Sequence, residues 1–171
     1  MTFEYLWTRN DLADLLGIPH SKLTHVLYYV TVENYYRTFE IPKKSDGTRK
    51  ICAPTGDLKQ IQERLYNAIL EHQQTIRKKN NIHTNISHAF EKNKSIITNA
   101  EIHRNKRLVI NIDLQDFFDS FHFGRVCGFF EKNRDFCLPH ELAIIIAQLT
   151  CYQGKLPQGS PTSPIITNLI C

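Results

Sequence analysis

Apolar side chains recur at helical spacing in two short groups near the start of the chain. Between the groups, Gly17, Ile18 and Pro19 break the pattern, and Ser21 stands where a hydroxyl can cap a second helix. The members are Leu12, Leu15 and Leu16, then Leu23, Val26 and Leu27. This pattern predicts two short helices joined by a tight turn.

Two runs rich in aromatic and β-branched residues follow, at 35–41 and 49–53, around a turn that contains Asp46-Gly47. This arrangement predicts a β-hairpin. Its tip is basic, with Lys43, Lys44, Arg49 and Lys50. These cations either protect an exposed strand edge or close as a lid over a phosphate-rich ligand, for which Arg provides paired donors and Lys a mobile point charge.

Residues 57–80 carry apolar positions with the period of an amphipathic helix. Asp57 can cap its start, and the basic run Arg77-Lys78-Lys79 suits the negative end of its dipole. The pattern predicts a long scaffold helix.

Residues 86–107 are polar and basic, and they predict a loop that enters a short helix at Ser95. Phe90, Lys92 and Lys94 lie in this loop. Cations beside an aromatic ring are a common way to hold a single-stranded backbone and stack a base, although a solvated loop explains each residue alone.

The segment 108–121 reads LVINIDLQDFFDSF, and its apolar, β-branched start predicts a buried strand. Three carboxylates follow, on Asp113, Asp116 and Asp119. Asp113 lies inside the apolar pattern, so it is either salt-bridged or capping a helix, or it is a ligand for a hard cation such as Mg²⁺. Asp116 and Asp119 also suit the start of a helix.

Two apolar helical faces follow within residues 122–150, separated by a loop at 133–139 that ends in Pro139. The last stretch, 154–171, combines three prolines and two glycines with an apolar run. It predicts a fixed turn that leads into a final helix.

Composition and cysteine spacing narrow the class of protein. A hydrophobic fraction of 42% in 171 residues is typical of a globular chain. No apolar run approaches the roughly 20 residues of a membrane span, so we expect a cytoplasmic protein without a membrane partner. The five cysteines are widely spaced, which favours reduced, buried thiols over disulfides or a zinc site.

The net charge of +4 is unevenly distributed. Residues 1–40 carry three basic and five acidic side chains, residues 41–107 fourteen and six, and residues 108–171 four and six. The basic middle block beside an acidic cluster suits a polyanion-binding site with a divalent metal, or else a solvated basic face. The acidic leader favours a packing unit over a DNA-reading helix-turn-helix, although both interpretations stay open.

Four blocks of this sequence resemble motifs of one enzyme family. IDLQDFFDSF is similar to motif A of reverse transcriptases, and IPKKSDGTRKI to their fingers hairpin. HAFEKNKSIITNA and LPQGSPTSPIITN are similar to two further blocks, the second being motif B, and the order is that of the family. From about Tyr35 to its last residue, the chain resembles the retron-type bacterial reverse transcriptases.

The resemblance implies an α+β fold: the fingers and palm portion of a right-hand polymerase, with mixed helices, small antiparallel sheets and an incomplete palm. It divides the chain into a helical leader (1–34), fingers (35–107) and the N-terminal part of the palm (108–171).

The resemblance also implies roles for individual residues. Asp113 is the expected catalytic residue and a ligand of two Mg²⁺ ions, with the Leu114 carbonyl as another oxygen ligand. Phe118 is the expected steric gate against ribonucleotides, and Gly159 is expected to permit close approach to the nascent base pair. The nucleotide-binding set is Lys43, Lys44, Arg49, Asp116, Phe117, Phe118, Gln158 and Gly159. The nucleic-acid-binding set is Lys50, Phe90, Lys92, Lys94 and Ser95.

The implied function is RNA-directed DNA synthesis in a retron-like system, with dNTPs as substrates, a structured noncoding RNA as template and an RNA–DNA duplex as product. A retron effector protein and a role in antiviral defence follow from the same resemblance. The YxDD block of the family does not occur in the sequence. One aspartate cannot hold two Mg²⁺ ions, so we expect the chain to be inactive alone and completed by the remaining polymerase portion or a second polypeptide.

Two alternatives remain at this point. The chain could be a catalytically incomplete nucleic-acid-binding module, built from the basic block and the leader. It could also belong to a group II intron-like or defence-associated reverse transcriptase.

Overall fold

The computed structural model describes residues 2–43, 47–82, 87–91 and 93–171. Two residues of the expected binding sets, Lys44 and Lys92, lie outside the described residues, as does Asp46 of the predicted turn.

The leader forms two short helices, as predicted. Helix α1 spans Arg9–Leu15, and α2 spans His20–Thr24 before continuing as a π-helical turn at His25–Tyr29. Short 3₁₀ turns at Phe3–Tyr5 and Val32–Tyr35 flank them. The predicted cap at Ser21 is wrong, because α2 begins at His20 and Pro19 occupies the N-cap position.

The basic hairpin is confirmed. Strands β1 (Tyr36–Pro42) and β2 (Thr48–Pro54) pair antiparallel in a two-stranded sheet. The backbone N–H of Lys43 donates to the Gly47 carbonyl at 3.0 Å and closes the turn side of the ribbon.

The long amphipathic helix is also confirmed, as α3 at Gly56–Lys79. Its N-cap is Thr55, so the prediction of Asp57 as the cap is wrong. Asp57 lies in the first turn, where its carboxylate pairs with Lys22 at 2.7 Å. The predicted short helix is α4 at Ile96–Ile102, and Ser95 caps it by accepting from the Thr98 N–H at 3.3 Å.

The last third of the chain is helical where the pattern predicts it. Helices α5 (Phe123–Lys132) and α6 (His140–Thr150) are separated by the loop 133–139, with Pro139 at the N-cap of α6. Helix α7 (Ser163–Ile170) follows the proline-containing turn. A 3₁₀ turn at Phe118–Ser120 precedes α5.

The prediction of a buried strand at 108–112 is wrong. Among the residues that the structure describes, this segment has no regular secondary structure and pairs with no strand. Its apolar side chains face solvent: Leu108 is 77% exposed and Ile112 80%. Sequence pattern predicts the pleat, but burial requires a neighbouring strand and a covering layer, and β1 and β2 pair only with each other.

One hydrophobic core runs through the leader, α3 and helices α5 to α7. It is built largely from Leu, Ile and Phe side chains, among which Leu12, Ile61, Phe130 and Ile146 are almost completely buried. The structure is thus a mixture of helices with a small antiparallel hairpin, as expected. The assignment to fingers and palm, and the boundaries at 34/35 and 107/108, rest on the resemblance. No helix of the described part of the chain is long and apolar enough to cross a membrane.

Candidate nucleotide-binding cleft

A cleft of about 910 Å³ lies between the β1–β2 hairpin, residues 112–121 (the acidic segment) and residues 156–162 (the turn before α7). It gathers most of the residues that the motifs predict for one site. They are Lys43, Arg49 and Lys50 from the hairpin, Asp113, Leu114, Asp116, Phe117 and Phe118 from the acidic segment, and Gln158 from the turn. Residues from three distant parts of the sequence therefore line one cavity.

The cleft places cations on one wall and carboxylates on another. Neither Asp113 nor Asp116 forms an ion pair or caps a helix among the described residues, so both carboxylates are open to solvent and to a ligand. The salt-bridged or capping interpretation of Asp113 thus finds no support there. Asp116 has a left-handed backbone, with φ +50°, which turns the chain from the extended segment into the 3₁₀ turn.

Asp119 has a different environment, because its carboxylate pairs with the Lys155 ammonium. Lys155 lies at the end of a tight turn in which the Tyr152 N–H donates to the Lys155 carbonyl at 2.8 Å. Two backbone hydrogen bonds join this turn to the end of the acidic segment and to the start of α5. The Leu156 N–H donates to Phe121 O at 3.0 Å, and the Phe123 N–H donates to Gly154 O at 2.8 Å. The acidic segment is therefore fixed to the turn at its C-terminal end.

Phe117 and Phe118 differ in packing. The Phe117 ring meets Phe121 edge-on at 5.1 Å and packs against the core. The ring centroids of Phe118 and Phe117 are 5.5 Å apart. Phe118 is half-buried, lines the cleft and does not pack against the core. Both rings line the cleft, and of the two only Phe117 also packs against the core.

The turn before α7 is attached to strand β2. The Cys52 N–H donates to the Gln158 carbonyl at 2.7 Å. At Gly159, φ is +114°, and a Cβ would lie 2.7 Å from Ile51 Cγ2 and 3.1 Å from the Cys52 carbonyl oxygen. Gly159 is not among the residues that line the cleft, and the close approach that it allows is to β2. Gln158 faces the cleft beside it.

Sequence reasoning missed a buried polar network behind the cleft, centred on Gln62 of α3. Its side-chain N–H₂ donates to the Tyr36 hydroxyl at 2.8 Å and to the Leu149 carbonyl at 2.7 Å. Its side-chain oxygen accepts from the Ser160 hydroxyl at 2.6 Å. The network joins β1, α3, α6 and the turn before α7, and a single Gln in an amphipathic pattern gave no signal of it.

Burial of this region also shifts ionisation. Loss of solvent raises the pKa of the Tyr36 hydroxyl, partly offset by the Gln62 hydrogen bond. The pKa of the Cys151 thiol rises to about 12 for the same reason, partly offset by a hydrogen bond with Thr150. Tyr152, which lines the cleft, packs against Tyr36 with ring centroids 4.4 Å apart and ring planes tilted by 34°. The raised pKa values keep the Tyr36 hydroxyl and the Cys151 thiol uncharged at physiological pH.

Three other predicted nucleic-acid-binding residues, Phe90, Lys94 and Ser95, are not part of the cleft lining. The Lys94 ammonium donates to the Ser87 carbonyl at 2.9 Å and pairs with Glu91 at 3.4 Å, so it braces its own loop. The Asn168 side-chain N–H₂ donates to the Ala89 carbonyl at 3.0 Å and attaches that loop to α7. Phe90 is 60% exposed and available for stacking.

Lys22, the lysine of the helix that a DNA-reading leader would use, is bound to α3 instead. The Lys22 ammonium pairs with Asp57 at 2.7 Å and donates to the Gln60 side-chain oxygen at 3.2 Å, both on α3. Because α2 is bound to the scaffold through this side chain, the leader acts as a packing unit here.

The donor set of the cleft fits a hard cation. Asp113 and Asp116, which have no ion pair among the described residues, and the Leu114 backbone lie on one segment, and Mg²⁺ prefers one or two carboxylates together with water and phosphate oxygens. The hairpin cations that line the same cleft suit the phosphates of such a ligand.

Comparison with known proteins agrees with this geometry. Residues 41–171 match the family model described as reverse transcriptase (RNA-dependent DNA polymerase). The chain is 31% identical over 167 residues to the retron Ec86 reverse transcriptase of Escherichia coli, which covers 95% of this chain and 47% of that protein. It is also 31% identical to the retron Mx162 and Mx65 reverse transcriptases of Myxococcus xanthus, with 94% and 95% of this chain covered.

The chain spans less than half the length of these curated relatives, with 35% of the Mx162 protein and 40% of the Mx65 protein covered. The family model nevertheless covers the end of β1, all of β2, the acidic segment and the turn before α7, and its range includes every residue that lines the cleft. The chain belongs to the reverse transcriptase family and is of the retron type.

Proposed function

We propose that this chain contributes the nucleotide-binding cleft of a retron RNA-directed DNA polymerase. The observation that carries the proposal is the convergence of Asp113, Asp116, Arg49, Lys43 and Gln158 on one cavity. Cations and carboxylates that line one cavity suit a nucleoside triphosphate with its metal ions, because phosphoryl transfer is catalysed mainly by positioning and by neutralising charge.

In this mechanism, Asp113 and the Leu114 carbonyl would hold Mg²⁺, and Asp116 would lie beside the triphosphate. The ion, when bound there, would act as a Lewis acid on the phosphate oxygens. Arg49 and Lys43 hold the phosphates, and Phe118 lies under the sugar, where a ring excludes a 2′-hydroxyl. Two metal ions need further carboxylates beyond these, which the remaining polymerase portion or a second polypeptide supplies.

The exposed segment 108–112 supports such a completing strand. Its apolar side chains are largely exposed to solvent, and it pairs with no strand among the described residues, as expected of a segment that lacks a neighbouring strand. A strand laid along it would give the segment backbone partners and cover its apolar side chains.

Nucleic-acid partners follow from the same assignment. We expect a structured noncoding RNA as template and an RNA–DNA duplex as product, contacted by Lys50 in the cleft and by the loop that carries Phe90 and Ser95. A retron effector protein and a role in antiviral defence belong to the same proposal. The cysteines form no disulfide, which suits the reducing cytoplasm.

Nucleotide binding by the purified chain tests the cleft assignment directly. Wild type is expected to bind dNTP in a Mg²⁺-dependent manner, and Asp113→Asn to lose that dependence because a metal ligand is removed. Asp14→Asn is the matched control, since Asp14 pairs with His20 in the leader, away from the cleft. Isothermal titration calorimetry measures both. Equal Mg²⁺-dependent binding by wild type and Asp113→Asn would refute the assignment.

The phosphate role of Arg49 has its own control on the same hairpin. Arg49→Ala is expected to weaken dNTP binding more than binding of the nucleoside, because only the phosphates contact the guanidinium. Arg37→Ala, on β1 and outside the cleft lining, should leave both unchanged. A loss common to both variants would indicate hairpin damage.

The sugar gate is tested by comparing dNTP with rNTP binding. Phe118→Val should narrow the preference for dNTP, since a smaller side chain leaves room for the 2′-hydroxyl. Phe39→Val provides the control, because Phe39 lies on β1 outside the cleft lining. An unchanged preference in Phe118→Val would remove Phe118 from the gate role.

A further inference from the structure

A second cluster of metal-ligand side chains lies outside the cleft, between α5 and α6. Cys127 and Glu131 are four residues apart on α5, so they share one helical face, and His140 is the first residue of α6. Their ligand atoms, the thiol sulfur, a carboxylate oxygen and an imidazole nitrogen, all lie within 4.8 Å of one another. This is the one such group in the part of the chain that the structure describes.

The loop between the helices fixes this arrangement. The Asn133 N–H donates to Phe129 O at 2.9 Å, and the Leu138 N–H donates to Phe130 O at 3.0 Å. These bonds return the chain to the end of α5, and Pro139 then starts α6 with His140 beside Glu131. The His140 Nδ1 lies 3.0 Å from a Glu131 carboxylate oxygen.

We propose that Cys127, Glu131 and His140 bind one Zn²⁺ ion, with water as the fourth ligand. Bonds of about 2.0–2.3 Å place tetrahedral ligand atoms roughly 3.3–3.8 Å apart, so small side-chain rotations suffice to close the observed spacing. Mixed sulfur, nitrogen and oxygen ligands select a borderline-soft ion over Mg²⁺, which prefers oxygen.

The burial of the three groups suits such a site. Cys127 is buried at its base, Glu131 is half-buried, and His140 is exposed at its mouth, which leaves a path for the ion and a place for water. An ion pair between Glu131 and His140 explains two of the side chains but gives the thiol no role. Burial and the nearby Glu131 carboxylate raise the pKa of the Cys127 thiol. A bound cation would reverse that effect, so binding should release a proton.

Cobalt substitution is the test, because Co²⁺ reports thiolate ligation by its sulfur-to-metal charge-transfer band and tetrahedral geometry by its visible bands. The freshly reduced wild-type chain should bind one Co²⁺ with both signatures, and Zn²⁺ should displace it. Cys127→Ser should lose the charge-transfer band. His140→Ala should weaken binding by more than about 100-fold, beyond the loss that removal of an outer-shell partner causes.

Cys137→Ser is the matched control, since Cys137 lies in the same loop, is exposed and is outside the cluster. It should keep the wild-type spectrum and affinity. Asp113→Asn removes the oxygen site of the cleft and should also leave the cobalt spectrum unchanged. Success or failure here is therefore distinguishable from that of the nucleotide site.

The proposal is overturned if the wild type shows no charge-transfer band, if the band survives Cys127→Ser, or if Cys137→Ser removes it. Circular dichroism first establishes that each variant is folded. If Cys127→Ser is unfolded, His140→Ala decides, because His140 is exposed and its truncation leaves the core intact. Unchanged affinity in folded His140→Ala likewise overturns the proposal.

Discussion

Gly159 allows the turn before α7 to pack closely against strand β2. Its φ of +114° and the 2.7 Å distance from a built Cβ to Ile51 Cγ2 exclude any side chain without local movement. Motif similarity predicts a glycine here for close approach to a base pair. In the structure, the close approach is to strand β2.

Gly159→Ala is expected to destabilise the fold by about 2 kcal/mol or more, because backbone strain and the clash with β2 add. Gly128→Ala on α5 is the control, since a Cβ there meets nothing within 4 Å. It should be neutral or stabilise by up to about 1 kcal/mol. Urea denaturation measures both, and equal midpoints would contradict the role given to Gly159.

Gln62 is the buried polar residue with the most partners in the network behind the cleft. Gln62→Ala leaves the Ser160 hydroxyl, the Tyr36 hydroxyl and the Leu149 carbonyl short of a partner. We expect a loss of roughly 2–4 kcal/mol, since each buried polar group left unsatisfied is costly.

Gln60→Ala is the matched control for that change. Gln60 lies two residues earlier on α3, is exposed and only accepts from Lys22 at 3.2 Å. Its replacement should alter stability by no more than about 0.5 kcal/mol. Similar losses in both variants would show that helix propensity, rather than the network, is being measured.

At the scale of elements, α3 organises the molecule. It contacts the leader through Lys22 and Arg64, and the cleft wall through Gln62. The Arg64 guanidinium donates to the Leu16 carbonyl at 2.9 Å and also to the Gly17 carbonyl. It thus satisfies carbonyls at the C-terminal end of α1, where intrahelical partners run out.

Arg64→Ala should loosen the leader while leaving the cleft intact. Loss of a charged donor to these carbonyls is expected to cost about 1.5–3 kcal/mol and to raise hydrogen-exchange rates in α1 and α2. Lys59→Ala on the same helix, whose exposed ion pair with Glu63 spans 3.9 Å, should change neither. Faster exchange confined to the hairpin would contradict this assignment.

At the scale of the whole molecule, burial divides the cysteines into two classes. Cys52, Cys127 and Cys151 are buried, whereas Cys137 and Cys171 are exposed. The Cys52 and Cys151 thiols serve as small apolar groups in the core, as the sequence predicts for all five, whereas the buried Cys127 belongs to the proposed zinc cluster. The prediction is wrong for the two exposed cysteines.

Thiol labelling of the metal-free, folded chain at pH 8 should therefore show two fast and three slow groups. The pKa of about 12 at Cys151 keeps that thiol protonated and unreactive until unfolding. A disulfide-exchange reagent with and without denaturant measures the count. Five fast thiols in the native chain would contradict the observed core.

The raised pKa of the Cys151 thiol also predicts how the stability of the fold changes at alkaline pH. Between its ordinary value of 9.0 and about 12, the Cys151 thiol loses its proton in the unfolded chain but keeps it in the folded one. Stability from this group is thus fully present below pH 9 and falls as pH rises toward 12. Cys151→Ala should flatten that part of the curve.

Much of the secondary structure could be predicted from the sequence, because it depends on local patterns. The hairpin, α3, the pair α5–α6 and the helix after the prolines follow from periodicity, turn residues and caps. Motif A, motif B and the basic hairpin also predict the family and most of the residues that line the cleft, because these predictions depend only on residue type and order.

Only the tertiary structure decided what each residue contacts. It left segment 108–112 exposed, because strand burial depends on a neighbour and not on pattern. It gave Gly159 to β2, Asp119 to Lys155 and Lys22 to α3, and it brought Cys127 to His140 across a loop. Such contacts depend on how distant segments pack, and that information is not present in local spacing.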